Sequence, residues 1–115
     1  MLNCFLNLVQ NSYHLLLCIN LIYTKLVLLL RNYMKKGKNT IGKIIARWAP
    51  SSDGNNTQSY IGYVSRGTGI DASRALRWED RDDLVEIVRS MAQMESGIIE
   101  DKALIEKAYE MANKQ

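Results

Sequence analysis

The sequence predicts an all-α fold, a small helical domain of about five helices. Three observations carry that prediction. Apolar residues recur three and four positions apart along most of the chain, which is the repeat of one helix face. Gly, Pro and Asn fall where those stripes end. No stretch alternates apolar and polar residues as a half-buried strand does. With 115 residues, 47% of them apolar, the chain has the length for one domain and the composition to bury a core.

Residues 1–30 are leucine-rich, with runs at 15–19, 21–23 and 26–30 interrupted by Asn3, Asn7, Gln10, Asn11, His14, Asn20 and Lys25. Three readings of this region stay open. It is a buried or partner-seeking helix, a membrane segment through residues 13–30 with its basic end in the cytoplasm, or an N-terminus foreign to the domain that follows. A membrane span needs about 20 largely apolar residues, and 13–30 must absorb His14, Asn20 and Lys25. A signal peptide places basic residues before its apolar run; here none precedes Lys25. Cys4 and Cys18 are compatible with two thiols in a helix or with a bridge and read as reduced, packed thiols; with no CxxC and no Cys/His cluster, a zinc site is not expected. From Arg31 to Lys38 the helix ends in basic residues that suit its dipole, and Gly37 supplies the left-handed closing residue. That basic end reads either as a solvated terminus or as a phosphate or anionic-lipid patch.

The next element, 40–48, has a start, a stripe and a stop. Asn39 or Thr40 caps it, Ile41, Ile44, Ile45 and Trp48 share one face, and Pro50 ends it. The run Ser51 to Asn56 is a loop by composition. Asn56 or Thr57 starts a helix carrying Tyr60, Ile61, Tyr63 and Val64, predicted to close at Gly67. A connector follows in which Leu76 is buried and Trp78 packs over the start of the next helix. That helix, 81–96, opens with Asp80 as cap and Asp82 and Asp83 in its first turn. It carries the strongest apolar pattern in the chain, from Leu84 to Met94, with Glu86, Arg89 and Ser90 predicted outward and Gly97 as its stop. Asp101 starts a last helix with a thin stripe of Ala103, Leu104, Ala108 and Met111.

The net charge of +3 is small but unevenly placed. Six basic residues and no acid lie between Arg31 and Arg47, whereas eleven of the twelve acids lie from Asp71 onward. Nucleic-acid proteins carry a larger basic excess. The helix pair 40–48 and 57–66 has a loop too long for a helix-turn-helix, whose turn takes about 3–4 residues. Only one basic residue lies in the second helix. No nucleic-acid partner is expected.

A series of motifs carries a resemblance. It runs Asn-Thr-Ile-Gly-Lys-Ile-Ile-Ala-Arg-Trp-Ala-Pro at 39–50, Thr-Gln-Ser-Tyr-Ile-Gly-Tyr-Val at 57–64, Gly69-Ile70, and Met-Ala-Gln-Met-Glu-Ser-Gly at 91–97. In order and spacing this resembles a family of small phage and prophage virion structural proteins with a lysozyme-like domain, over roughly residues 29–113. Arg31 and Tyr33 fit the Arg-x-Tyr end of that family's preceding helix. Family members open with a Gly- and Asn-rich segment that has no counterpart here. The resemblance therefore implies a leader at 1–24 that is not family-like. It implies a domain at 25–115 that resembles the C-terminal part of a lysozyme-like fold, as a truncated or frame-shifted prophage gene would encode.

Candidate chemistry centres on Glu95. A glycoside hydrolase needs a carboxylic acid held neutral and usually a second carboxylate across the sugar. Glu95 lies in the last turn of its helix, where the dipole and apolar neighbours such as Met91 and Met94 raise a carboxyl pKa. The plainer reading is a surface glutamate at a helix end. Glu79, Asp80, Asp82 and Asp83 read as capping charges, and Asp53 and Asn55 as loop residues able to line a groove. Trp48, with Arg47, Tyr60 and Tyr63, forms a candidate aromatic-and-polar surface for stacking on glycan, with Trp48, Tyr60 and Tyr63 as its rings, against the reading of Trp48 as core. His14 stands alone among leucines. No P-loop, dinucleotide fingerprint or metal motif is present, so no cofactor and no metal are expected. The function expected from the resemblance is that of a prophage-derived virion structural or cell-wall-associated protein, with peptidoglycan or other virion proteins as partners. The alternative is an active muramidase-type hydrolase using Glu95 as its acid.

Overall fold

The computed structural model describes residues 15–115, with side chains described from Leu21 onward. His14, Cys4 and the side chain of Cys18 lie outside the described residues, as does most of the 1–24 leader. The described chain is all-helical: α1 (Leu15–Lys35), α2 (Ile41–Trp48), a 3-10 turn (Ser51–Asp53), α3 (Thr57–Thr68), α4 (Arg81–Ser96) and α5 (Lys102–Asn113). No strand occurs among the described residues.

α1 buries Ile22, Tyr23, Leu26, Val27, Leu30 and Tyr33, which recur at helical spacing along one face. The helix runs unbroken across position 24/25, and Ile22 and Tyr23 already belong to the core. α1 lies along α5; α4 packs against α1, α3 and α5; and α2 bridges α1 and α3. Among the described residues no helix is long and apolar enough to cross a membrane.

α2 forms as its sequence dictates. The Thr40 side chain accepts from the Lys43 N–H at 3.1 Å, Ile41, Ile44 and Ile45 are fully buried, and Pro50 follows the end. α3 is capped by Asn56, whose Oδ1 accepts from the Ser59 N–H at 3.1 Å. It ends at Gly69 (φ 73°), not at Gly67. Gly67 stays inside the helix because it serves packing: a Cβ there would lie 3.1 Å from the Ser90 Oγ of α4. The same contact buries Ser90, which the sequence pattern places outward.

A further expectation is corrected. The buried face of α5 is Ile105, Ala108, Tyr109 and Ala112, whereas Ala103 is exposed and Met111 is 40% exposed. The large side chains Ile105 and Tyr109 set the rotation of the helix. Trp78 packs on α5. Its ring stacks on Tyr109 at 4.9 Å, and its Nε1 donates to Asn113 Oδ1 at 2.9 Å. The Tyr109 hydroxyl in turn donates to the Trp78 carbonyl at 2.7 Å. Asp80 occupies the cap position of α4 without a side-chain capping bond, whereas Asp101 caps α5 through the Ala103 N–H.

Candidate functional site

A cleft of about 630 Å³ opens between the C-terminal part of α1, the end of α2 with the loop after it, and the last turn of α4. Each wall has a local cause. Pro50 turns the chain out of α2, and the loop is pinned back by two bonds: Thr57 Oγ1 donates to the Ala49 carbonyl at 2.7 Å, and Asn55 Nδ2 to the Pro50 carbonyl at 3.1 Å. Gly54 takes φ 83° to complete that turn. These bonds hold Asp53 and Asn55 at the cleft. α4 contributes Glu95, and Gly97 (φ 74°) ends the helix two residues later. α1 contributes Asn32 and Tyr33, with Lys36 just past its end.

Glu95 is only partly exposed. Its Oε2 accepts a hydrogen bond from the Tyr60 hydroxyl at 3.3 Å, and the same hydroxyl lies 3.5 Å from the Met91 carbonyl. Burial holds the Glu95 carboxyl above the ordinary glutamate range, and the Tyr60 bond pulls it partway back. Tyr60 is 4% exposed. Burial, then the Glu95 charge, push its hydroxyl well above the ordinary tyrosine range, while a hydrogen bond with the Trp48 side chain acts the other way. The phenol therefore stays protonated and serves as a donor. Trp48, Tyr60 and Glu95 form one connected set reaching from α2 through α3 to α4.

The four site residues named from the sequence thus separate. Glu95 and Trp48 line the cleft. Tyr60 lies beneath them, buried, and offers no open face for stacking on a sugar. Tyr63 lies in a different groove, of about 460 Å³, beside Arg66, Glu86, Arg89 and Gln93. Trp48 is half-buried: it packs against the core and also borders the cleft. Tyr33, Lys36 and Lys38 also line the cleft, where the sequence marks 31–38 only as a solvated helix end or an anion patch. The acid-free run from Arg31 to Arg47 is the signal that points to them. No group of three or more His, Cys, Asp or Glu side chains is disposed to hold a metal ion among the described residues.

The fold and cleft define a small all-helical domain with a partly buried carboxyl at a polar cleft, and comparison with known proteins places it among phage-related sequences. The chain is 39% identical over 70 residues to Protein P5 of Pseudoalteromonas phage PM2, a match covering 60% of this chain and 41% of that protein. The chain thus matches about two fifths of that relative's length. No family model and no solved structure matches it.

Proposed function

We propose that this phage-related chain is a cell-wall-associated protein whose cleft recognises the glycan of peptidoglycan. The observation that carries the reading is the placement of Glu95 in the cleft beside Trp48, Asp53 and Asn55, with Tyr60 fixing it from below. Saccharide sites pair an aromatic ring with side chains that donate to and accept from hydroxyls and acetamido groups. A half-buried indole, an amide, an exposed carboxylate and a carboxyl biased toward its neutral form supply that set. The phage relationship makes the bacterial wall a reasonable source of the glycan.

A second reading, glycoside hydrolysis, is favoured by one specific observation: burial raises the Glu95 pKa, the condition a general acid requires. In that reading Glu95 protonates the bridging oxygen and the glycosidic C–O bond breaks. Water then supplies a hydroxyl to the anomeric carbon and returns a proton to Glu95. Asp53, in the same cleft, is the second carboxylate available.

Two assays separate these readings. Sedimentation with purified peptidoglycan tests binding: saturable co-sedimentation weakened by Trp48→Ala is expected, and none from a folded sample removes the proposal. Turbidity clearing of a wall suspension tests hydrolysis. Clearing abolished by Glu95→Gln establishes it; binding without clearing leaves recognition alone.

A further inference from the structure

The cleft has a charge asymmetry that a neutral sugar does not use. Lys36, Lys38 and Arg47 all line it, on the side formed by the end of α1, the segment after it and α2. Among the described residues none of the three is in an ion pair, whereas Arg74, Arg77, Arg81 and Lys102 each face a carboxylate elsewhere in the fold. Arg47 is held in place instead by the Tyr33 ring, with its guanidinium carbon 5.8 Å from the ring centroid. A cation–π contact leaves the guanidinium N–H groups able to donate to another partner. The acidic groups lining the same cleft are Glu95, from α4, and Asp53, from the loop that follows α2. Glu95 is already engaged by Tyr60. Three unpaired cations in one concave site raise the local concentration of anions and pair with a carboxylate when one enters.

A second hollow, lined by Ser51, Asn55, Asn56, Thr57 and Gln58, shares Pro50 and Asn55 with the first. Its polar side chains are neutral hydroxyls and amides, beside Ala46 and Pro50. The basic side chains thus line the first cleft, and the second hollow carries none.

We infer that the cleft takes an acidic saccharide, a glycan bearing carboxylate substituents that Lys36, Lys38 and Arg47 pair with, rather than a neutral polymer of the same sugars. The inference rests on the glycan reading above and specifies its substrate class. Wall glycan meets the requirement through the free lactyl carboxylate of a muramic acid unit without a stem peptide, or through the carboxylates of that peptide where one is attached.

The test is calorimetric titration of the full chain with two tetrasaccharides of equal length: neutral chitotetraose, and a peptidoglycan tetrasaccharide carrying free carboxylates. The acidic tetrasaccharide is expected to bind about tenfold more tightly at low salt, the summed effect of several solvent-exposed pairs each worth under about 1 kcal/mol. The preference is expected to shrink as salt is raised. It is expected to collapse toward equality in the Lys36→Gln/Lys38→Gln/Arg47→Gln variant, whose fold circular dichroism verifies. Equal binding of the two sugars by the unaltered chain overturns the acidic preference and leaves glycan recognition standing. Binding of neither by a folded sample overturns both. A short single-stranded DNA that outcompetes the acidic tetrasaccharide, through the same three cations, would assign the surface to nucleic acid and overturn the inference.

Discussion

The Tyr60 hydroxyl donates to Glu95 Oε2 across 3.3 Å, joining the first half of α3 to the last turn of α4. One residue is buried and the other borders the cleft, so the bond transmits the rigidity of the core to the edge of the site. Because the bond favours the ionised carboxylate, removing it should move the Glu95 pKa further up. In Tyr60→Phe, NMR titration of the Glu95 side-chain carboxyl carbon is expected to give a higher midpoint than in the unaltered chain. Stability should fall by about 0.5–1.5 kcal/mol, the usual net worth of such a bond. A lower or unchanged midpoint contradicts the assignment.

Stability should depend on Glu95 in a defined direction. Burial raises its pKa in the folded state, so the folded chain binds its proton more readily than the unfolded chain does. The stabilisation that this proton gives is complete below the ordinary glutamate pKa. It is lost as pH rises through the raised folded value. Glu95→Gln, neutral at every pH, is therefore expected to melt at a higher temperature than the unaltered chain at pH 7. The difference should vanish below about pH 4. Thermal melts at the two pH values check this, and a variant less stable at pH 7 sinks the prediction.

The face of α5 gives a packing test. Ile105 is fully buried and Met111 is 40% exposed. Ile105→Ala is expected to cost about 2–5 kcal/mol, from lost burial and the cavity left behind. Met111→Ala should cost under about 1 kcal/mol. Urea denaturation distinguishes them, and similar costs at the two positions would restore the stripe read from the sequence.

The closing residue of α3 gives another. Gly69 has φ 73°, and a Cβ added there would meet no other atom within 4 Å, so its requirement is conformational alone. Gly69→Ala should cost about 1 kcal/mol, the penalty of the left-handed region for an L-residue. Chemical denaturation reads this directly, and a neutral substitution would show that the helix end relaxes.

Much of the fold is legible in the sequence because its signals are local. Thr40, Asn56 and Asp101 act as caps through their own side chains, and Pro50 and Gly97 end helices by backbone rules alone. What is not legible depends on partners distant in sequence. Gly67 reads as a stop until Ser90 is seen against it, 23 positions on. The rotation of α5 depends on Tyr109 meeting Trp78, and nothing within residues 102–113 states that. At the cleft, the place of Glu95 in the last turn of its helix and of Trp48 beside Ile44 and Ile45 is legible, whereas their bordering one cleft is not. The burial of Tyr60 and the separation of Tyr63 are not, because two tyrosines three positions apart lie on nearly the same helix face. Which of them the neighbouring helix covers is decided by packing.

The most direct test of the central claim uses the two tryptophans as paired reporters. Trp48 borders the cleft, whereas Trp78 is held by Tyr109 and Asn113 outside it. In a two-dimensional NMR titration with a solubilised peptidoglycan tetrasaccharide, the Trp48 indole N–H and the Asn55 side-chain amide are expected to shift saturably. The Trp78 indole N–H should stay in place. Shifts confined to the groove around Tyr63, or no saturable shift from a folded sample, would contradict the assignment of the Glu95 cleft as the glycan site.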